Sequence, residues 1–143
     1  MSSNQQRPQV PNDMRAFNAK LIEEFRANHG QMRGQMAGRQ LLLLTTAGAK
    51  SGQQRTVVVG YRPYGDDLAI IASDNGAPKA PDWFANLKQD PVATVEVGSE
   101  KFKVRTRVAS PQERPEIAKL IEYLGPQQER TQREIPIVIL ERV

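Results

Sequence analysis

The sequence predicts a mainly β (α+β) fold: a six-stranded antiparallel β-barrel with an N-terminal helix and two short helices. Three observations predict it. Six short stretches are apolar throughout or alternate apolar with polar residues, and only three stretches carry helical spacing. Hairpin-length turns stand between strands, at Tyr64-Gly65-Asp66-Asp67 and at Gly98-Ser99. A sheet of this kind has two exposed edges, and closure into a barrel removes them.

The first element is a helix over 13–28, where Met14, Phe17, Leu21 and Phe25 form a narrow apolar stripe and His29-Gly30 ends the run. It reads as docked on the domain rather than as a lid. Residues 40–46 form a strand that is mostly apolar, so buried on both faces. Strands follow over 56–62 and 68–73. Pro81 suits the first position of a helix over 81–89, with Asp82 at its positive end and Trp83 and Leu87 on one face. VATVEV at 92–97 alternates. At 101–109, Phe102, Val104, Thr106 and Val108 share one face and Lys103, Arg105 and Arg107 the other. A helix over 115–124 places Ile117, Leu120, Ile121 and Leu124 together, with Ser110 and Glu113 as a capping box before it. IPIVIL, within 134–142, is the last strand.

At 143 residues the chain is large enough for one domain with a sizeable core. Residues 1–12, polar with two prolines, read as a disordered lead, and 13–143 as the domain. No apolar run approaches the ~20 residues of a membrane span, and the start is no signal peptide. With no Cys, disulfides and thiolate chemistry are excluded. With His29 the sole histidine, a zinc site or a Ser-His-Asp triad is disfavoured, and no metal is expected. The pI of 9.6 permits nucleic-acid binding, but aromatics are few and no groove-reading motif is present.

The densest chemistry lies in LLLLTTAGAKSGQQR at 41–55. A strand runs into Gly48-Ala49-Lys50-Ser51-Gly52, and Arg55 follows. Backbone N–H groups, a hydroxyl, an ammonium and a guanidinium in one loop suit a phosphate. Six basic residues and no acidic one lie between Glu24 and Asp66. The loop is no nucleotide P-loop, because Ala49 precedes Lys50 and the next element is a strand. A second loop, 73–79, is rich in residues that tolerate positive φ and resembles a ligand-lining turn. Trp83 either walls a flat ligand or is simply core.

TTAGAKSGQQR, IASDNGAPKAPDWFANLKQDP, VEVG and TQREIPIVILER, in that order, resemble the deazaflavin-dependent nitroreductase family of actinobacteria, from about residue 39 to the C-terminus. The resemblance implies a split β-barrel of the flavin-reductase and pyridoxamine-phosphate-oxidase kind. It implies a cytoplasmic oxidoreductase using coenzyme F-420, a deazaflavin with a phosphate and polyglutamate tail. The reduced form donates a hydride to activated double bonds (enones, lactones, coumarin-type compounds), quinones or nitro compounds. The implied partner is a small-molecule acceptor, with no nucleic acid and no membrane span; peripheral membrane contact and a monomer or homodimer stay open.

Carried over residue by residue, the tail motif falls on Gly48, Ala49, Lys50, Ser51, Gly52 and Arg55. Thr56, Val57, Val58, Val59 and Gly60 would run under the ring. Ile71, Ala72, Ser73, Asp74, Asn75, Gly76 and Ala77 would line it, with Pro81, Asp82, Trp83 and Phe84 beside it. Ser73 and Tyr123 are the candidate catalytic proton donors. Two departures stand out. Asp74-Asn75 replaces a common Lys-Gly, and the stretch before TQREIP has only Tyr123 where the nitroreductase prototype has a tyrosine cluster. The residues at 123–128 are expected over the open ring face, and nitroimidazoles are disfavoured as acceptors. The competing readings are a non-catalytic F-420 carrier, a flavin mononucleotide-binding split barrel, a haem-binding barrel and a nucleic-acid binder.

Overall fold

The computed structural model describes residues 14–34 and 37–143; the expected lead over 1–12 lies outside them. Helix α1 (Met14–Ala27) is followed by strands β1 (Leu41–Ala47), β2 (Gln54–Gly60), β3 (Arg62–Tyr64) and β4 (Asp67–Ile71). Helix α2 (Asp82–Gln89) leads to β5 (Val92–Val97) and β6 (Glu100–Val108). Short helices α3 (Arg114–Ala118) and α4 (Leu124–Gln128) precede β7 (Ile137–Arg142). All strand pairs are antiparallel, in the order β2-β1-β5-β6-β7-β4-β3.

That order closes the barrel. β2 and β3 are the two outermost strands of the sheet, yet only Tyr61 separates them in the chain. Consecutive Cα atoms lie ~3.8 Å apart, so the two edges cannot be more than about two peptide units apart where they meet. The sheet therefore curls until its edges join in one bent segment. The sequence suggests one strand at 56–62; the structure has two, making seven strands among the described residues rather than six. At the bend Tyr61 N–H still bonds to Gln40 O at 3.0 Å, and Arg62 then pairs with Ala69. Pro63 is tolerated because β3 is an edge strand whose outer side needs no N–H.

Below the bend the barrel is split. β3 pairs with β4 only as far as Ala69, while Ile70 and Ile71 have β7 on one side and no strand on the other. β2 diverges from them to follow β1. Because Tyr61 N–H points at β1, alternation of antiparallel bonding turns the backbone groups of Gly60, Val58 and Thr56 to the open edge.

Alternation also sorts the core. Leu42, Leu44, Ile70, Val95, Val104 and Leu140 fill the barrel with Trp83 and Leu87 of α2. Leu43 points outward, under Phe25 and Met32, so β1 is buried on both faces, as its apolar run suggests. Ile71, Ile137 and Ile139 form a second outer layer under Ile117, Ile121 and Leu124. The β5–β6 hairpin turns through Gly98-Ser99. Gly98 at φ +60° takes the first central position, where a type II′ turn needs positive φ.

Several helix expectations need correction. Pro81 is the N-cap of α2 and not its first helical residue. The helix expected over 115–124 is broken: α3 ends at Ala118, and tight i→i−3 bonds (Leu120 to Ile117, Ile121 to Ala118, Leu124 to Ile121) carry the chain to α4. Among the described residues the short helices thus number three, not two. A continuous helix would drive the Pro126 ring into the Glu122 carbonyl. The same tightening leaves Leu120 42% exposed, off the buried face. Phe17, expected in the buried stripe of α1, is 39% exposed; the Met14 side chain lies outside the described residues.

Candidate functional site

The split between β2 and the end of β4 opens into a cleft of about 420 Å³. One wall is Val57, Val58, Val59 and Gly60 on the open edge of β2. The opposite wall is Ile71, Ser73, Asp74 and Asn75, where the chain leaves β4. Pro81 and Trp83 of α2 close one end, and Tyr123 and Gln127 reach in from the α4 side. Trp83 is at once core and wall: it packs in the barrel interior and lines the cleft. Phe17, Asn18 and Leu21 of α1, with Leu41, complete the lining.

The remaining residues singled out from the sequence stand around this cleft. Thr56 continues the open edge beyond Val57. Ala72 is fully buried, and Gly76 and Ala77 lie buried behind the 74–75 wall. Asp82 is exposed at the start of α2. Phe84 packs against the barrel core, with Lys88 Nζ 4.7 Å from its ring centre. Gly48–Gly52 and Arg55 lie past the end of the cleft, where β2 begins; Arg55 is two strand residues, about 7 Å, from Val57.

The 72–79 loop is built under tension and held from behind. Asp74, Asn75 and Gly76 are all left-handed, at φ +51°, +57° and +76°. Two consecutive non-glycine residues in that region are costly, so other contacts must hold them. The Arg133 guanidinium donates to four carbonyls of the loop: Ser73 at 2.8 Å, Ala77 at 3.1 Å, Ala72 at 3.2 Å and Lys79 at 3.3 Å. Arg130 donates to Asn75 Oδ1 at 2.6 Å. Gly76 cannot carry a side chain, because a Cβ would lie 2.6 Å from Arg130 Cβ and 2.9 Å from Gln127 O. Ser73 Oγ accepts the Gly76 N–H at 2.8 Å, which leaves its own proton to donate.

The basic loop is partly committed to its own shape. Gly48 N–H bonds to Gln53 O, Gly52 N–H to Gly48 O, and Gln53 N–H to Ser51 Oγ. Ala49 N–H bonds to Asn86 Oδ1 at 2.9 Å. The N–H groups of Lys50 and Ser51 have no acceptor among the described residues. The Lys50 and Arg55 side chains are exposed, and no carboxylate pairs with them there. The reading of the loop as a wide nest of amides therefore narrows to two amides and two cations.

Tyr123 carries the one electrostatic anomaly of the cleft. Its Oη is buried with no hydrogen-bond partner among the described residues, and a Cβ on Gly60 would lie 3.3 Å from it. Burial pushes the phenol pKa up, against the pull of the Arg62 guanidinium, which sits 4.9 Å from its ring centre and also pairs with Glu122. The phenol therefore stays protonated. Among the described residues the phenol proton has no acceptor, and the bare Gly60 is what lets the ring pack this close to β2.

The family model described as F420H(2)-dependent quinone reductase matches residues 18–142. The chain belongs to that family. An F420H(2)-dependent quinone reductase of Mycobacterium tuberculosis (strain H37Rv) is 35% identical over 127 residues, covering 82% of this chain and 85% of the relative. The solved structure of an F420-H2 dependent reductase is 33% identical, with TM-score 0.65, over 72% of this chain and 95% of that one. A second solved structure, described as a domain-swapped dimer, is 30% identical, with TM-score 0.67, over 92% of this chain and all of the other. This family of split barrels uses reduced coenzyme F-420, and the chain is accordingly an oxidoreductase. Among the described residues no helix is long and apolar enough to cross a membrane.

Sequence reasoning missed Phe17, Asn18, Leu21 and Leu41 in the cleft, and Asn86, Arg130 and Arg133 behind it; Gln127 falls in the 123–128 stretch expected there. For α1 a signal existed: Phe17 and Leu21 share a stripe with Phe25, and only the last is deeply buried. For Arg130 and Arg133 there was none, since their partners lie more than fifty residues away.

Proposed function

We propose that this chain binds reduced coenzyme F-420 with its ring in the cleft and its anionic tail along the 48–55 segment, and reduces conjugated acceptors. Quinones, and the activated double bonds of enones, lactones and coumarin-type compounds, are the acceptor classes. The observation that carries this is the alignment of three features on one strand. β2 presents an unpaired backbone edge at Val58 and Gly60, apolar walls around it, and unpaired cations at its start. A flat heterocycle with a phosphate tail matches that sequence of surfaces.

When bound, the cofactor supplies a two-electron hydride, and the protein supplies position and polarity. The open edge offers Gly60 and Val58 N–H and C=O groups to the polar rim of a ring. Trp83, Val57 and Val59 exclude water from its faces. Lys50 and Arg55 hold phosphate and carboxylates. Ser73 Oγ–H and Tyr123 Oη–H are the protons available to a reduced acceptor, with the phenol kept protonated by burial. The single phenol contributed by 123–128 leaves few donors for a nitro group, which favours quinones and conjugated lactones over bicyclic nitroimidazoles.

Fluorescence titration with F-420 and with flavin mononucleotide tests the cofactor, and oxidation of the reduced cofactor with each acceptor class tests turnover. Tighter binding of F-420 and turnover of a quinone or enone are expected. A preference for the flavin, or binding without turnover of any acceptor, would overturn the reading. Lys50→Ala and Arg55→Ala should each weaken F-420 on the order of tenfold or more, since a hydrogen bond to a charged group contributes roughly 1.5–3 kcal/mol.

A further inference from the structure

Asn86 lies on the side of α2 away from solvent and is absent from the cleft lining. Its carboxamide is buried and makes two bonds to segments far away in the chain. Nδ2 donates to Thr46 Oγ1 at 2.9 Å, and Oδ1 accepts the Ala49 N–H at 2.9 Å. Thr46 is 2% exposed and is the penultimate residue of β1. Ala49 is in the middle of the basic loop. One amide therefore ties that loop to the helix whose Trp83 walls the cleft one turn earlier.

We infer that Asn86 is a positioning residue for the anionic end of the ligand: it sets where Lys50 and Ser51 point relative to the ring cleft. This rests on the docking proposed above, with the tail on the basic loop. The loop's neck is held by the β1–β2 ladder, which ends at Ala47 and Gln54 and is extended by Gly48 N–H to Gln53 O. Beyond that neck the bonds of Gly52 N–H to Gly48 O and Gln53 N–H to Ser51 Oγ are internal to the turn. The Ala49 N–H to Asn86 bond is the attachment outward, and it lies one residue before the free amides of Lys50 and Ser51. A carboxamide suits the task because it donates and accepts in one plane with no charge to repel an anion. Aspartate could keep both bonds, with Thr46 turned to donate, but would put a negative charge behind the anion site.

The test uses the whole protein and two ligands: F-420, and the same deazaflavin lacking phosphate and glutamates. Asn86→Leu keeps the branch at Cγ, with somewhat larger arms, and removes both bonds. It should weaken F-420 roughly tenfold, the size expected when charged hydrogen bonds lose their geometry, and leave the tail-less ligand within about twofold. Thr46→Val frees the carboxamide without touching the loop, and should shift F-420 binding in the same direction by less. In the double variant the two effects should fall short of additive, because they act through one chain of bonds. Thr46→Val carries the test if Asn86→Leu does not fold. Equal weakening of both ligands, or no change in either, would overturn the positioning role. If the wild-type protein binds F-420 no tighter than the tail-less ligand, it is the tail docking itself that fails, and the inference with it.

Discussion

In the proposed reading, Tyr123 serves function against stability. A buried hydroxyl with no partner costs roughly 1–3 kcal/mol. Tyr123→Phe removes that hydroxyl and keeps the ring under Arg62. Thermal unfolding should show an unchanged or raised melting temperature, while kcat with a quinone falls several-fold. A fall in both would mean the hydroxyl has a partner in the free protein. Tyr123 and Ser73 could be named from sequence because they are hydroxyls within a known motif order. The missing partner at Tyr123 could not, since it depends on Gly60 approaching from β2. The same holds for Arg133 and Asn86. Arg133 bonds to backbone carbonyls of a distant segment, and Asn86 to a backbone N–H and a threonine hydroxyl about forty residues away, pairings that leave no mark in a sequence.

The elements divide along a similar line. β1 was legible from its apolar run, and β5 and β6 from their alternation and the turn between them, all local signals; Val92–Val97 has the bounds expected of it. The break between α3 and α4 was signalled by Gly125-Pro126 but masked by the strong apolar spacing before it. The reciprocal bonds of the Ser110–Glu113 box form, Glu113 N–H to Ser110 Oγ at 3.3 Å and Ser110 N–H to Glu113 Oε2 at 2.9 Å, but in the turn ahead of α3, whose N-cap is Glu113 with no side-chain cap bond. Glu113 also pairs with Arg107, joining the α3 turn to β6. The Arg107 guanidinium, followed by the Ser110 amide, holds the Glu113 carboxyl at about 2, below its ordinary 4.5. A carboxylate with a depressed folded-state pKa contributes stability that is fully present above its unfolded value and lost as pH falls through the folded one. Glu113→Gln should therefore lower the melting temperature at pH 7 but lose less than wild type between about pH 4.5 and pH 2. Parallel acid limbs for the two proteins would show that the pair adds nothing to the fold.

At the scale of the whole molecule, the cleft exists only when the barrel is closed. Its walls come from α1, β2, the segment after β4, α2 and the α4 region, spread from Phe17 to Gln127, and the bend at Tyr61 brings the two sheet edges together. No local piece of the chain holds the site, so a ligand of the cleft binds the folded state and not the unfolded one. Such a ligand stabilises by mass action, about 2.7 kcal/mol at a hundred times its Kd. For a domain of this size 1 kcal/mol moves the melting temperature by roughly 3–5 °C, so saturating F-420 should raise it by roughly 8–13 °C. Trp83 reports on the same event twice over, being both in the core and in the cleft wall. Its fluorescence should melt together with the far-UV signal, and both should shift upward with F-420. Flavin mononucleotide at the same concentration should shift them less, and Lys50→Ala, at tenfold weaker affinity, should lose about half of the F-420 shift. A rise that is equal for the two cofactors, or unchanged by Lys50→Ala, would place the stabilising contacts in the ring cleft alone and leave the basic loop without a ligand.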